Sequence, residues 1–434
     1  MAKGKAELLT KKTGGTIPES NVTDVQKFLD ANNKGHRYEA EIEADLWRKG
    51  LEFNKFGHPV KSISNTVFYL QRHPELVGRI QYSTFDHETF ITGKVPFCDE
   101  DRIGSVWKDS DDIGLSVWLA RNECANNKND IPQAVDFVSK QHPFHPVKDY
   151  LSGLVWDNVE RLDCWLHMFL GVQMSEYSSA VGSRWMTAAV KRVYQPGCKC
   201  DYMLVLEGVQ GKSKSQSLGI LADGWYVEDL SNIGSKDSKQ QLQGAWIIEI
   251  AEIDKLGKQE AGEVKTFLTQ CKDRFRPAYG RRLTDVPRQC VFAGTVNPDV
   301  YLKDETGGRR FWPVKCLDID LKGLREQRDQ LWAEAVVRYK AGAPIYLETK
   351  ELEALANVEQ AKRFAVDAWH YDVAQFCGSK PRVFMDEIFD AMGVEKGQRN
   401  NSHSIRVNKI MRALGYDTKR SKVGGMKYTK NVLF

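Results

Sequence analysis

The chain has 434 residues, of which 41% are hydrophobic and 28% charged, with a formal net charge of +4. That length predicts two or three domains, and the composition fits a soluble globular protein with no apolar run long enough to span a membrane. The basic N-terminus lacks the apolar core and cleavage pattern of a secretory signal. Nine scattered cysteines, with Cys198 and Cys200 the only close pair, fit thiols in a reducing cytoplasm better than a zinc site.

In chain order, residues 1–35 read as a flexible basic arm. Residues 36–195 read as a mixed and then helical N-terminal domain. Ile80–Phe85 and Phe90–Phe97 are expected as short strands or loops, and Asp111–Arg121 and Ile131–Gln141 as helices. Leu162–Leu170 and Ser179–Tyr194 repeat apolar residues at helical spacing, so their aromatic residues are expected in a core.

Residues 196–345 carry the main chemical signal. Asp201–Leu206 is nearly all apolar, as a buried central strand should be. It runs into Gly208-Val-Gln-Gly-Lys-Ser-Lys-Ser215. An apolar strand, a loop with Gly208 and Gly211, and then Lys214 and Ser215 make the layout of a nucleoside triphosphate site. Backbone N–H groups turn onto phosphate oxygens, the lysine reaches the outer phosphates, and the serine hydroxyl can ligate Mg²⁺. A helix starting near Ser215 adds its N-terminal field, so residues 208 and 210–216 (Gln210, Lys212, Ser213 and Gln216 included) are expected around the phosphates. Ser213 stands where the full pattern has a glycine. A serine at positive φ there would carry backbone strain.

Two further strands follow. Ala245–Ile250 ends near Glu249 and Glu252, and Cys290–Ala293 leads to Asn297. Three such strands with polar residues at their ends match an open α/β sheet. Phosphoanhydride hydrolysis needs neutralised phosphates, a held metal and an aimed water. Lys214 supplies the charge, while Ser215 and, through water, Glu249 hold Mg²⁺. Glu252 orients or deprotonates the water, with Glu249 as its substitute, because two acids three residues apart leave the assignment open. Asn297 would bond the γ-phosphate or that water. Arg309 and Arg310 follow a Thr-Gly-Gly turn, where a rigid fork can meet phosphate in the same site or a neighbour's. Between the second and third strands, Lys272, Arg274, Arg276, Arg281, Arg282 and Arg288 suit a basic loop that grips strand phosphates. A solvated basic surface is the plain alternative.

Residues 346–378 read as a helical connector, with one helix over Glu348–Ala368. Residues 379–434 hold twelve Lys or Arg against five Asp or Glu, a local +7 that leaves the remainder at −3. Two helices followed by a glycine-turned hairpin give the order of a winged helix. Its second helix, His403–Leu414, would expose Arg406, Lys409 and Arg412 to DNA.

Taken together, these residues resemble the VirE-type, virulence-associated protein E family of phages and mobile islands. The likeness rests on His142–Tyr150 (HPFHPVKDY), Trp156-Asp157 with Arg161-Leu162, Pro196-Gly197, the 207–215 loop, Trp246–Glu249 with Glu252, Asp273-Arg274 with Arg276, Asn297, and Thr306–Phe311. It covers roughly residues 60–345. The resemblance implies a P-loop core of AAA+ or superfamily 3 helicase type that uses ATP and Mg²⁺. Walker A residues would be Lys214 and Ser215, Walker B Glu249 with Glu252, the sensor Asn297, and the arginine fingers Arg309 or Arg310. It also implies a homo-oligomeric ring, often a hexamer, acting in the bacterial cytoplasm on single-stranded, forked or origin DNA. A separate primase is an expected partner, because no carboxylate constellation in residues 1–140 supplies primase metals. The expected function is an ATP-driven DNA motor. The alternative is a nucleotide-gated initiator or regulator with little unwinding.

Overall fold

The computed structural model describes residues 47–430 apart from 99–101, 125, 128, 231, 254–257, 276–282, 298–300, 303–307, 365–366, 379 and 421–425. The expected arm at 1–35 lies outside the described residues. The chain divides into two compact units. One runs up to Leu154 and includes Gln243–Ala245; the other comprises Val155–Leu242 and the chain from Trp246 onward.

The first unit contains α1 (Ile63–Arg72), β1 (Ile80–Ser83), β2 (Glu88–Ile91), α2 (Asp109–Arg121), α3 (Asp130–Ser139), β3 (Pro143–Phe144) and α4 (Pro146–Gly153). Its sheet has the order β2-β1-β3, with β1 antiparallel to β2 and parallel to β3. Ser62 caps α1 by accepting from the Asn65 N–H, and His145 caps α4, where Pro146 begins the helix without needing a hydrogen-bonded N–H. Tyr69, Leu70, Leu115, Leu119, Ile131 and Val135 form the core.

The second unit begins with α5 (Trp165–Leu170), α6 (Glu176–Tyr194), β4 (Met203–Glu207), α7 (Lys214–Ala222), β5 (Tyr226–Val227), α8 (Lys236–Gln241) and β6 (Ile247–Ile250). It continues through α9 (Lys258–Leu268), β7 (Lys272–Phe275), β8 (Thr284–Pro287), β9 (Val291–Val296), β10 (Phe311–Lys315), α10 (Leu321–Lys340) and α11 (Lys350–Ala361). Five strands form a parallel sheet in the order β10-β4-β9-β6-β5. β4, β6 and β9 are buried at every residue, as strands covered on both faces require. Helix α6 lies against β4 and β9. Three buried tryptophans pin the helices through their indole N–H groups: Trp185 donates to the Phe292 carbonyl of β9 and Trp246, just before β6, to Ala189 of α6, while Trp332 of α10 donates to Leu221 of α7. The aromatic residues of 155–195 therefore include core members, but α5 and α6 belong to the same compact unit as the sheet. The expected boundary at 195/196 falls inside that unit.

Some elements differ from expectation for visible reasons. Residues 311–315, just after the arginine pair and not expected as a strand, form β10 despite Pro313. The strand lies at the sheet edge, where proline is tolerated. The third core strand extends through Gly294-Thr295-Val296, which had been read as its exit. Gly294 leaves room there for Ile253, whose Cδ1 would sit 2.2 Å from an added Cβ. The helix expected over 348–368 stops at Ala361, and Arg363 turns inward to pair with Glu207 at 2.7 Å.

The chain ends with α12 (His370–Cys377), β11 (Arg382–Phe384), α13 (Met385–Ala391), α14 (Asn401–Ala413), β12 (Tyr416–Arg420) and β13 (Met426–Lys430). The strands form an antiparallel sheet in the order β11-β13-β12. Val373, Val383, Ile388, Val407, Ile410, Met411 and Tyr428 make a core of their own.

Candidate nucleotide site

The candidate site sits at the carboxyl ends of the adjacent strands β4, β9 and β6, the usual place for a ligand on an open parallel sheet. Leaving β4, the chain turns at Gly208 (φ 149°), where an added Cβ would stand 2.8 Å from the Cys316 carbonyl oxygen. It turns again at Gly211 (φ 82°) and at Ser213 (φ 59°). Ser213 is the N-cap of α7, in the left-handed region and without a side-chain capping bond. The conformation expected of the missing glycine is thus adopted by a serine. Val209, Gln210, Gly211, Lys212 and Gln216 are exposed, and Lys212 pairs with Asp318 at 2.9 Å.

Lys214, the first residue of α7, is buried. Its ammonium donates to the Gly208 carbonyl at 2.7 Å, to Val209 at 3.1 Å and to Asn297 Oδ1 at 3.3 Å. Burial holds its pKa below the usual lysine value, against the pull of Glu249 among other groups. The ammonium therefore lies folded into the loop, beside a side chain presented from the end of β9.

Glu249 is fully buried within β6, not at the strand exit where it was expected. Three hydroxyls surround its carboxylate. Ser215 Oγ donates to Oε1 at 2.9 Å, Thr295 Oγ1 donates to the same oxygen, and the Tyr226 phenol donates to Oε2. They come from α7, β9 and β5, so packing of the sheet assembles the collar. Burial, then the hydrogen bond and charge of Glu249, push the Tyr226 phenol well above its ordinary pKa. A carboxylate and a serine hydroxyl side by side offer hard oxygen ligands suited to Mg²⁺. Among the described residues no group of three or more His, Cys, Asp or Glu forms a metal cage, so an ion here would rely on phosphate oxygens and water.

Lys214, Ser215, Glu249 and Asn297 are therefore brought together, and other expected residues are not. Glu252 lies beyond β6, exposed and in the left-handed region at φ 50°. Arg309 is exposed and Arg310 half-buried in a short turn before β10. Among the described residues neither bonds to the loop, and Arg310 Nε is buried without a partner. Sequence reasoning missed Tyr226 and Thr295. Thr295 lay within a stretch read only as a strand exit, and Tyr226 carries no local mark. It also missed the Glu207–Arg363 pair directly beneath the loop, which borders a cavity of about 620 Å³ together with Tyr177 and Lys315.

The basic elements are partly redistributed. Lys272 and Arg274 are exposed on β7, both near Asp285, at 2.8 Å and 3.5 Å. Arg276, Arg281 and Arg282 lie outside the described residues. Arg288, counted with this basic stretch, is instead buried at the hairpin base. It forms a two-point ion pair with Asp273 at 2.6 and 2.8 Å and lies against the Phe267 and Phe292 rings. In the C-terminal module Lys409 and Arg412 are exposed on α14. Arg406 corrects the expectation: Asp367 holds it at 2.8 Å, and it stacks over Trp369 at 4.0 Å.

Among known proteins, the virulence-associated protein E-like domain matches residues 151–365. The apo NrS-1 C-terminal region is similar in structure at a TM-score of 0.45 and 10% identity, over 81% of this chain and 95% of that one. Its A form gives a TM-score of 0.43 at 11% identity, over 81% and 96%. No curated protein matches this chain. Among the described residues no helix is long and apolar enough to cross a membrane.

Proposed function

We propose, from the match of residues 151–365 to the virulence-associated protein E-like domain, that the chain is an ATP-dependent DNA motor, of helicase or translocase type, in phage or mobile-element replication. The carrying observation is the convergence of Lys214, Ser215, Glu249 and Asn297 at the ends of three neighbouring strands. It supports a P-loop core of AAA+ or superfamily 3 type around the parallel sheet. On ATP binding, Lys214 exchanges its loop carbonyls for β/γ-phosphate oxygens, and the N–H groups of 211–216 turn to the same anion. Mg²⁺ would be held by Ser215 and, through water, by Glu249, and would neutralise developing phosphate charge. Thr295 and Tyr226 fix the carboxylate's orientation. Asn297 bonds the γ-phosphate or the attacking water, and Glu252 must approach from its exposed position to serve as base. Arg309 has the exposure that an arginine finger acting on a neighbouring subunit of a ring requires.

The order α13, α14, β12–β13, with β11 completing the sheet, supports a winged-helix-like module that contacts DNA. Lys409 and Arg412 are exposed on α14, and Lys272 and Arg274 on the β7–β8 hairpin, where DNA phosphates would compete with Asp285 for them. One observation favours the second reading, a nucleotide-gated initiator with slow turnover. The buried acid Glu249 is occupied by three hydroxyls, while Glu252 stands exposed and Ser213 holds the strained loop position.

DNA-stimulated ATP hydrolysis tests the choice. Activity abolished by Lys214→Ala and by Glu252→Gln supports the motor. ATP-dependent DNA binding without turnover, insensitive to Glu252→Gln, supports the initiator. Sedimentation with forked DNA and a non-hydrolysable nucleotide tests the ring, which a stable monomer would exclude.

A further inference from the structure

Four cations of the C-terminal module are held by neighbouring acids or aromatic rings. Arg399 pairs with Asp386 and Asp390, Arg406 with Asp367, Lys380 lies over Phe376 and Lys430 over Tyr416. Three others differ. In the sheet β11-β13-β12, Val383 and Tyr428 are buried on one face, in the core that also holds Val407, Ile410 and Met411 of α14. Because strand side chains alternate, the neighbouring residues form the opposite face. That face has two rows, Arg382–Thr429–Asp417 and Phe384–Lys427–Lys419.

Lys419 and Lys427 stand directly opposite each other, on β12 and β13. Like charges at facing positions of an antiparallel pair are destabilising. Arg382 lies diagonally beside Lys427 on β11. Arg382 and Lys419 are exposed and Lys427 half-buried. Among the described residues none of the three has an ion-pair partner, and the one acid on the face, Asp417, lies on the far edge strand from Arg382. Lysines on an edge strand can serve to block sheet-to-sheet association. Lys427 is on the central strand, where that purpose does not apply.

We propose that this outer sheet face is a docking surface for the sugar-phosphate backbone of duplex DNA, gripped by Arg382, Lys419 and Lys427. It faces away from the side of the sheet that packs with α14, so it does not share one stretch of duplex with Lys409 and Arg412. The facing lysines are relieved when a phosphate lies between them, and the Thr429 hydroxyl supplies a neutral donor in the adjacent row. Phe384, the single aromatic side chain in the two rows, is half-buried. That favours backbone contact over base stacking, hence duplex over single strand.

The inference rests on the module's reading as a DNA-binding element. The test measures binding of the full chain to a fluorescent duplex by anisotropy between 50 and 200 mM salt. Three neutralised contacts should carry a slope of about 2.7 in log K against log[salt]. Arg382→Gln/Lys419→Gln/Lys427→Gln is expected to lower the slope by that amount and the affinity at least about tenfold, while Lys419→Arg/Lys427→Arg retains both. The melting temperature of the triple glutamine variant should hold or rise, since a like-charge pair is removed. A wild-type slope in the triple variant, with the salt dependence moving instead with Lys409→Gln/Arg412→Gln, overturns the sheet surface but leaves the module's DNA reading standing. No duplex binding by the unaltered chain overturns both. Equal loss in the arginine variant overturns the proposal, since charge at these positions would then not be what binds.

Discussion

Ser213 tests the reading of the loop most sharply, because its backbone is that of a glycine: φ 59°, ψ 28°. A left-handed residue with a Cβ costs about 1–2 kcal/mol. Replacing it by glycine removes that strain but restores about 0.5–1 kcal/mol of unfolded-chain entropy. Ser213→Gly should therefore stabilise the protein by about 0.5–1 kcal/mol. Ser213→Ala should be neutral, since the serine makes no side-chain capping bond. Ser213→Val should destabilise, because a β-branched side chain fits this region worst. A chain of 434 residues has so large an unfolding entropy that 1 kcal/mol moves the melting point by only about 1 °C. Urea midpoints at constant m-value are the better assay. The glycine variant should also bind nucleotide at least as tightly as the native loop. If Gly, Ala and Val variants share one midpoint, the strain argument is wrong.

Arg288→Met should cost about 3–5 kcal/mol by leaving Asp273 buried and unpaired, and adding Asp273→Leu should recover most of it; urea unfolding checks both. Tyr226→Phe should raise the Mg²⁺ concentration needed for half-maximal nucleotide binding by about tenfold, as loss of a group orienting a metal-binding carboxylate does, while binding without Mg²⁺ stays constant. A titration of fluorescent nucleotide against Mg²⁺ reads this directly, and unchanged Mg²⁺ dependence would remove Tyr226 from the site.

Local order carried much of the site. The apolar run before Gly208, the loop itself and the start of α7 are contiguous, so their relation was legible from spacing. The C-terminal helices and hairpin were legible for the same reason. What escaped depends on contacts far apart in sequence. The collar of Glu249 joins residues from α7, β5 and β9, and no window of sequence contains them together. Arg288 and Arg406 looked like solvated cations because charge count does not reveal an Asp273 or an Asp367 waiting in the fold. Arg363 ended a helix that propensity would have continued, since pairing with Glu207 outweighs one more turn. β10 went unread, and only the sheet order shows that a strand carrying Pro313 lies at an edge.

Binding of a fluorescent ATP analogue to the intact chain in millimolar Mg²⁺ probes the central claim most directly. Saturable binding is expected, weakened at least about thirtyfold by Lys214→Ala, since that change removes a buried charged hydrogen-bond partner of the phosphates. No binding at millimolar nucleotide, or equal binding by the alanine variant, would contradict the account.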